Sequence, residues 1–182
     1  MPFSATLLAG GKSTRMGRDK AALPFGGKLL WEHRILTLQM AGAAELFISG
    51  PVDGVYAQSG YPIIPDPLPN CGPMGGLLAA LRRATYGHLL LLAVDLPEMT
   101  AGHLLRLWTR CEPGKGAVFR GEAYEPLAAF YPREILTVAE RRTKDGDYSF
   151  QSLISEAQSL GLMVAVPVTP SDALLFRNWN AP

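Results

Sequence analysis

Residues 5–20 constrain this chain more than any other stretch. Ala5-Thr6-Leu7-Leu8-Ala9 is a short apolar run, and Gly10-Gly11-Lys12-Ser13-Thr14-Arg15-Met16-Gly17-Arg18-Asp19-Lys20 follows it directly. A run of that length reads as a buried strand. The double glycine after it lets backbone approach a ligand closely and turn N–H groups toward it. Arg15 and Lys20 add positive charge, and Ser13 and Thr14 add hydroxyl donors. Together these groups suit a polyphosphate. Two common phosphate motifs are excluded. A Walker A loop ending in Gly11-Lys12-Ser13 requires a glycine where Leu7 stands. The dinucleotide fingerprint requires a GxGxxG spacing that Gly10, Gly11 and Gly17 do not have. A bare strand-to-helix turn would explain the glycines, but not the interleaved arginine and lysine.

A chain of 182 residues reads as one domain spanning 1–182, long enough for a substantial core. Its formal net charge is +1, so no global field favours nucleic acid or a membrane surface, and phosphate affinity must be local. Cys71 and Cys111 have no metal or disulfide spacing. They read as free thiols in a reducing cytoplasm. The N-terminus enters a strand almost at once, without the pattern of a signal peptide. The longest apolar run, His88 to Val94, is too short to span a bilayer.

Apolar strands alternate with helical patterns, which predicts βαβ units and a mainly parallel sheet. Strands are expected at Ala5–Ala9, Glu45–Ser49, Tyr61–Pro65, His88–Val94, Ala117–Arg120, Pro126–Tyr131 and Leu162–Val168, with a last short one over Leu174–Asn178. Helices are expected from about Lys28 to Met40, Leu77 to Arg83, Ala101 to Cys111, Arg133 to Glu140 and Ser149 to Leu160. Pro73 suits the first position of the second helix. Trp31 and His33 read as packing or surface residues, and Arg141 to Asp147 as a solvated charged run.

Ligands of open parallel sheets sit beyond the carboxyl ends of the strands. Leu8 and Ala9, Ser49 and Asp95 all lie at such ends. Asp95, after the strongest buried strand, is placed to hold Mg²⁺ against phosphates. The alternative, capping the next helix, is open to Glu98 or Thr100 instead. Asp66 by itself reads as a turn or cap residue. No Ser-His-Asp or Cys-His arrangement is visible, so the chemistry implied is positioning rather than covalent catalysis.

Leu8-Ala9-Gly10-Gly11-xxx-Arg15-Met16-Gly17-xx-Lys20 resembles the signature loop of nucleotidyltransferases that join an NTP to a phosphorylated acceptor. The double glycine resembles the molybdenum cofactor guanylyltransferases within the MobA-like NTP transferase family. Relatives acting on cytidylyl or sugar substrates more often read Leu-Ala-Ala-Gly. Asp66 with Gly72-Pro73-Met74-x-Gly76 is similar to the family's second nucleotide-side loop, and Asp95-Leu96-Pro97 to its metal-binding turn. Glu125-Pro126-Leu127 through Tyr131 resembles its acceptor-side strand. Phe176-Arg177-Asn178-Trp179-Asn180-Ala181-Pro182 is similar to its Phe-x-Asn-x-Asn-x-Pro. The family usually continues into a closing helix, whereas this sequence stops at Pro182. It often carries an Asn where Ser49 stands.

The resemblance implies an α/β, Rossmann-like three-layer domain with a mainly parallel sheet, of the nucleotide-diphospho-sugar transferase type. It implies transfer of GMP from GTP to the molybdopterin form of the molybdenum cofactor, with Mg²⁺ as cofactor and pyrophosphate as by-product. Arg15, Lys20 and Asp95 would be catalytic. Leu8, Ala9, Gly10, Gly11, Lys20, Ser49, Asp66 and Asp95 would bind the nucleotide, with Asp95 holding the metal. Asn178 and Asn180 would face the acceptor. Other cofactor-pathway proteins are expected as partners. A related cytidylyl- or sugar-phosphate transferase, or a nucleotide-binding module without turnover, are the alternatives.

Overall fold

The computed structural model describes residues 1–10, 19–65 and 71–176. In chain order its elements are β1 (Ser4–Leu8), a 3-10 turn (Lys20–Ala22), β2 (Pro24–Phe25), β3 (Lys28–Leu29), α1 (Leu30–Met40), β4 (Glu45–Ser49) and β5 (Ile63–Ile64). Then come α2 (Pro73–Arg83), β6 (His88–Ala93), α3 (Ala101–Trp108), β7 (Gly116–Arg120), β8 (Tyr124–Pro132), α4 (Ile135–Lys144), α5 (Phe150–Ser159), β9 (Met163–Pro167) and a second 3-10 turn (Pro170–Phe176).

A seven-stranded sheet runs in the order β5-β4-β1-β6-β8-β7-β9. Strands β5, β4, β1 and β6 are mutually parallel. β8 is antiparallel to both β6 and β7, and β9 pairs parallel with β7. The expected mainly parallel sheet is therefore interrupted by β8. All six residues of β6 are buried, as a strand covered on both faces must be. Leu90 and Leu92 pack toward α1 and α3, while Leu89 and Leu91 pack toward α2, α4 and α5. This alternation defines three layers, with the sheet in the middle.

Local chemistry accounts for the differences from the sequence reading. The first helix begins at Leu30 rather than Lys28 because residues 24–29 form a hairpin. Gly26 and Gly27, at φ +57° and +82°, supply the left-handed pair that a tight hairpin turn needs. The strand expected over Leu174–Asn178 is corrected: residues 174–176 belong to the second 3-10 turn. Its anchor is Asp172, whose carboxylate accepts from the Thr169 N–H and hydroxyl, both at 2.8 Å, and from Arg106 of α3 at 2.7 Å. Cys71 and Cys111 are both free. Burial pushes the Cys111 thiol up to about 12.

Candidate active site at the carboxyl rim of the sheet

The ladder between β1 and its neighbours continues past the last strand residues and builds a floor. Ser49 O accepts from the N–H of Ala9 at 2.9 Å and of Gly10 at 3.0 Å. On the other side of β1, Leu8 O accepts from Val94 N–H at 3.0 Å. Leu8, Ala9, Gly10, Ser49 and Asp95 thus meet at one rim, as their strand-end positions predict.

One detail is corrected. The Gly10 N–H is paired with Ser49 O and does not stand open to a phosphate. The need for glycine there is steric: a Cβ on Gly10 would lie 3.2 Å from Gly50 Cα. Gly50 is tighter still, since its Cβ would fall 2.1 Å from the Tyr56 hydroxyl. Tyr56 is 1% exposed, and its hydroxyl has no hydrogen-bond partner among the described residues. Burial, helped by the nearby negative charges of Asp19 and Asp53, pushes that phenol up to about 12. Neither Gly50 nor Tyr56 stands out in the sequence.

Helix α2 closes the same rim. Pro73 occupies its first turn, where a missing N–H leaves nothing unpaired. A Cβ on Gly76 would meet Leu8 Cδ2 at 2.6 Å and Ser49 Oγ at 2.7 Å. The helix therefore lies directly on the ends of β1 and β4, and its glycine is required for that approach.

Lys20 reaches the rim from the 3-10 turn. Asp19 caps that turn by accepting from Ala21 N–H at 2.9 Å, and Ala21 is fully buried, which fixes the backbone beneath Lys20. Lys20 Nζ then lies 3.3 Å from Asp95 Oδ2, with the two side chains 20% and 24% exposed. The next helix is capped by Thr100, whose side chain accepts from His103 N–H, and not by Asp95. The Asp95 carboxylate is left facing the rim with a lysine as its partner.

Among the described residues no group of three or more His, Cys, Asp or Glu side chains forms a ready-made metal cage. A single carboxylate fits a magnesium-like ion, which takes one or two carboxylates and completes its shell with water and substrate phosphates. Gly11, Arg15, Asp66, Asn178 and Asn180 lie outside the described residues. The charged run 141–147 is paired rather than merely solvated: Arg142 donates to Glu156 of α5 at 2.6 Å and also to Asp147, tying α4 to α5.

A carboxylate at the end of a parallel strand, met by a lysine from the neighbouring 3-10 turn, lies on the side of an α/β sheet where ligands generally bind. The chain belongs to the MobA-like NTP transferase domain family, whose model matches residues 5–161. A probable molybdenum cofactor guanylyltransferase from Opitutus terrae is 34% identical over 184 residues, covering 99% of this chain and 91% of that protein. Molybdopterin-guanine dinucleotide biosynthesis protein A from Archaeoglobus fulgidus shares the fold with a TM-score of 0.76 at 21% identity, over 98% of this chain and 93% of its own. So does 2-C-methyl-D-erythritol 4-phosphate cytidylyltransferase from Thermus thermophilus, with a TM-score of 0.73 at 17% identity, over 100% of this chain and 94% of its own. The architecture is the one these two structures share.

Proposed function

We propose that this chain is a molybdenum cofactor guanylyltransferase, moving GMP from GTP to a molybdopterin-type acceptor and releasing pyrophosphate. Family membership and the name of the Opitutus terrae relative support the substrates. The observation that carries the chemistry is the approach of Lys20 Nζ to Asp95 Oδ2, 3.3 Å apart at the rim where Gly10 and Ser49 also lie.

In this reading a phosphate oxygen of the acceptor attacks the α-phosphorus of GTP. The bond from that phosphorus to the bridging oxygen breaks, and pyrophosphate departs in line. The protein aligns two anions and offsets the charge that grows between them. Lys20 and Arg15 supply that charge, and Lys20 leaves Asp95 for the phosphates when nucleotide arrives. Asp95 would hold Mg²⁺, which supplies Lewis-acid polarisation and a template for the phosphates. Leu8, Ala9, Gly10 and Ser49 line the nucleotide side; Gly11 and Asp66 would bind the nucleotide with them, and Asn178 and Asn180 would contact the acceptor. Gly10 contributes close backbone approach rather than an N–H. One domain, 1–182, carries the whole reaction, in the cytoplasm, alongside other proteins of cofactor assembly.

Calorimetric titration with GTP, CTP, ATP and UTP, each with Mg²⁺, tests this reading. Selective binding of GTP is expected. Selective binding of CTP would keep the chemistry and replace the acceptor pathway, because the fold is shared with a cytidylyltransferase.

A further inference from the structure

The side of α1 that faces the core carries Leu30, Arg34 and Leu38 at four-residue spacing, and they are 0%, 1% and 0% exposed. An arginine stands where an apolar residue is expected. Burying a guanidinium is costly unless its donors are used, and among the described residues no carboxylate pairs with this one. Its Nη donors go to backbone and to a neighbouring imidazole instead, while Nε has no partner among the described residues. Arg34 Nη1 donates to Leu96 O at 2.8 Å and to Met99 O at 2.6 Å. Nη2 donates to His33 Nδ1, which must then be the accepting nitrogen of a neutral imidazole, because a guanidinium has nothing to accept with. Burial and the adjacent Arg34 charge both lower the His33 pKa, in keeping with that neutral form.

The two carbonyls bracket the turn that immediately follows Asp95. Leu96 O also accepts from Met99 N–H at 3.2 Å, closing the turn on itself. On the other side of Asp95, Val94 N–H is fixed to Leu8 O at 3.0 Å. Asp95 is therefore the single residue between two anchors, one to β1 and one to the Arg34 guanidinium. Leu96 and Met99, 5% and 0% exposed, sink their side chains into the core and leave their carbonyls to Arg34.

We infer that Arg34 is a positioning residue for the metal carboxylate: it fixes the 96–99 turn and thereby the direction in which Asp95 presents its oxygens. The inference rests on the nucleotidyltransferase reading of the rim. Arg34 touches no reacting group. It acts as outer-shell partners of metal ligands act, by restricting the ligand's geometry.

The test uses the full chain with Arg34→Met and Arg34→Lys. Mn²⁺ serves as a paramagnetic probe, titrated with and without GTP and followed by electron paramagnetic resonance. Steady-state kcat and KM for GTP are measured alongside. Met fills the row but takes the guanidinium from both carbonyls, leaving Leu96 O with only the Met99 N–H, whereas Lys retains a donor for at least one of them. In Arg34→Met, GTP-dependent Mn²⁺ affinity and kcat are each expected to fall about tenfold or more, with KM for GTP within about twofold. Arg34→Lys is expected to recover part of the loss and to stay measurably below wild type. If Arg34→Met lowers only the thermal midpoint and leaves Mn²⁺ affinity unchanged, the residue is merely structural and the inference is overturned. If Arg34→Met does not fold, Arg34→Lys decides by the same readouts: an intermediate Mn²⁺ affinity supports the inference and a wild-type one overturns it. Failure of the unmodified chain to bind Mn²⁺ with any nucleoside triphosphate would instead overturn the reading of the rim, and the inference with it.

Discussion

Lys20 Nζ and Asp95 Oδ2 lie 3.3 Å apart although 75 residues separate them in the chain. One comes from a short turn just after the glycine-rich loop and the other from the end of the central strand. Each is partly open to solvent, so the pair adds little to stability. Its value is in placement: a cation and a carboxylate are held together at the rim where the proposed reaction would bring phosphate and metal.

Asp95→Asn keeps the shape of the side chain and removes its charge. Turnover is expected to fall by roughly 10²-fold or more, because Lewis-acid and templating contributions amount to several kcal/mol. Nucleotide binding measured without metal should persist. Initial rates and calorimetry check both halves, and full activity would remove Asp95 from the mechanism.

Lys20→Ala is expected to lower kcat by more than about tenfold, as loss of a group that stabilises developing charge does. The thermal midpoint should barely move, since a solvent-screened pair contributes about 0–1 kcal/mol. An unchanged rate would reduce Lys20 to a surface charge.

Gly50→Ala places a methyl 2.1 Å from the Tyr56 hydroxyl, with Gly10 N 3.1 Å away. Overpacking of this kind costs about 1–3 kcal/mol. Tyr56→Phe removes an oxygen that has no partner among the described residues, so by itself it should be near neutral. In the Tyr56→Phe background the penalty of Gly50→Ala should shrink. A double-mutant cycle by urea denaturation reads this coupling, and strict additivity would contradict it.

Asp172 is 3% exposed and is held well below the usual carboxylate range, chiefly by its hydrogen bonds from Arg106 and also by those from Thr169. A depressed folded-state pKa gives stability that is present above the unfolded value and lost as pH falls toward the folded one. Asp172→Asn should therefore cost roughly 2 kcal/mol at neutral pH, less than a fully buried pair because Arg106 is 37% exposed. The difference in thermal midpoint from wild type should narrow below about pH 4. A pH-independent difference would show that the charge of Asp172 is not what anchors the 170–176 turn.

Much of the site was legible because it follows from strand ends. Apolar runs place Leu8, Ser49 and Asp95 at the carboxyl side of parallel strands, and that side is where ligands bind. The hairpin at 24–29 was not legible, since strands of two residues carry no period; Gly26-Gly27 was the available signal. The 3-10 turn at 170–176 was read in part as strand because Leu174, Leu175 and Phe176 are apolar, whereas their conformation is set by the long-range Arg106–Asp172 pair. Arg34 did leave a trace in the sequence, a charge in the row Leu30, Arg34, Leu38. Its partners, two carbonyls more than 60 residues away in the chain, exist only in the fold.

The most direct measurement is pyrophosphate release from GTP in the presence of Mg²⁺ and a molybdopterin-type acceptor, with the nucleotide product identified by mass spectrometry. Release is expected to require both substrates, to yield a guanine dinucleotide product, and to disappear in Asp95→Asn. Release with CTP and not GTP, or undiminished release from Asp95→Asn, would contradict that expectation.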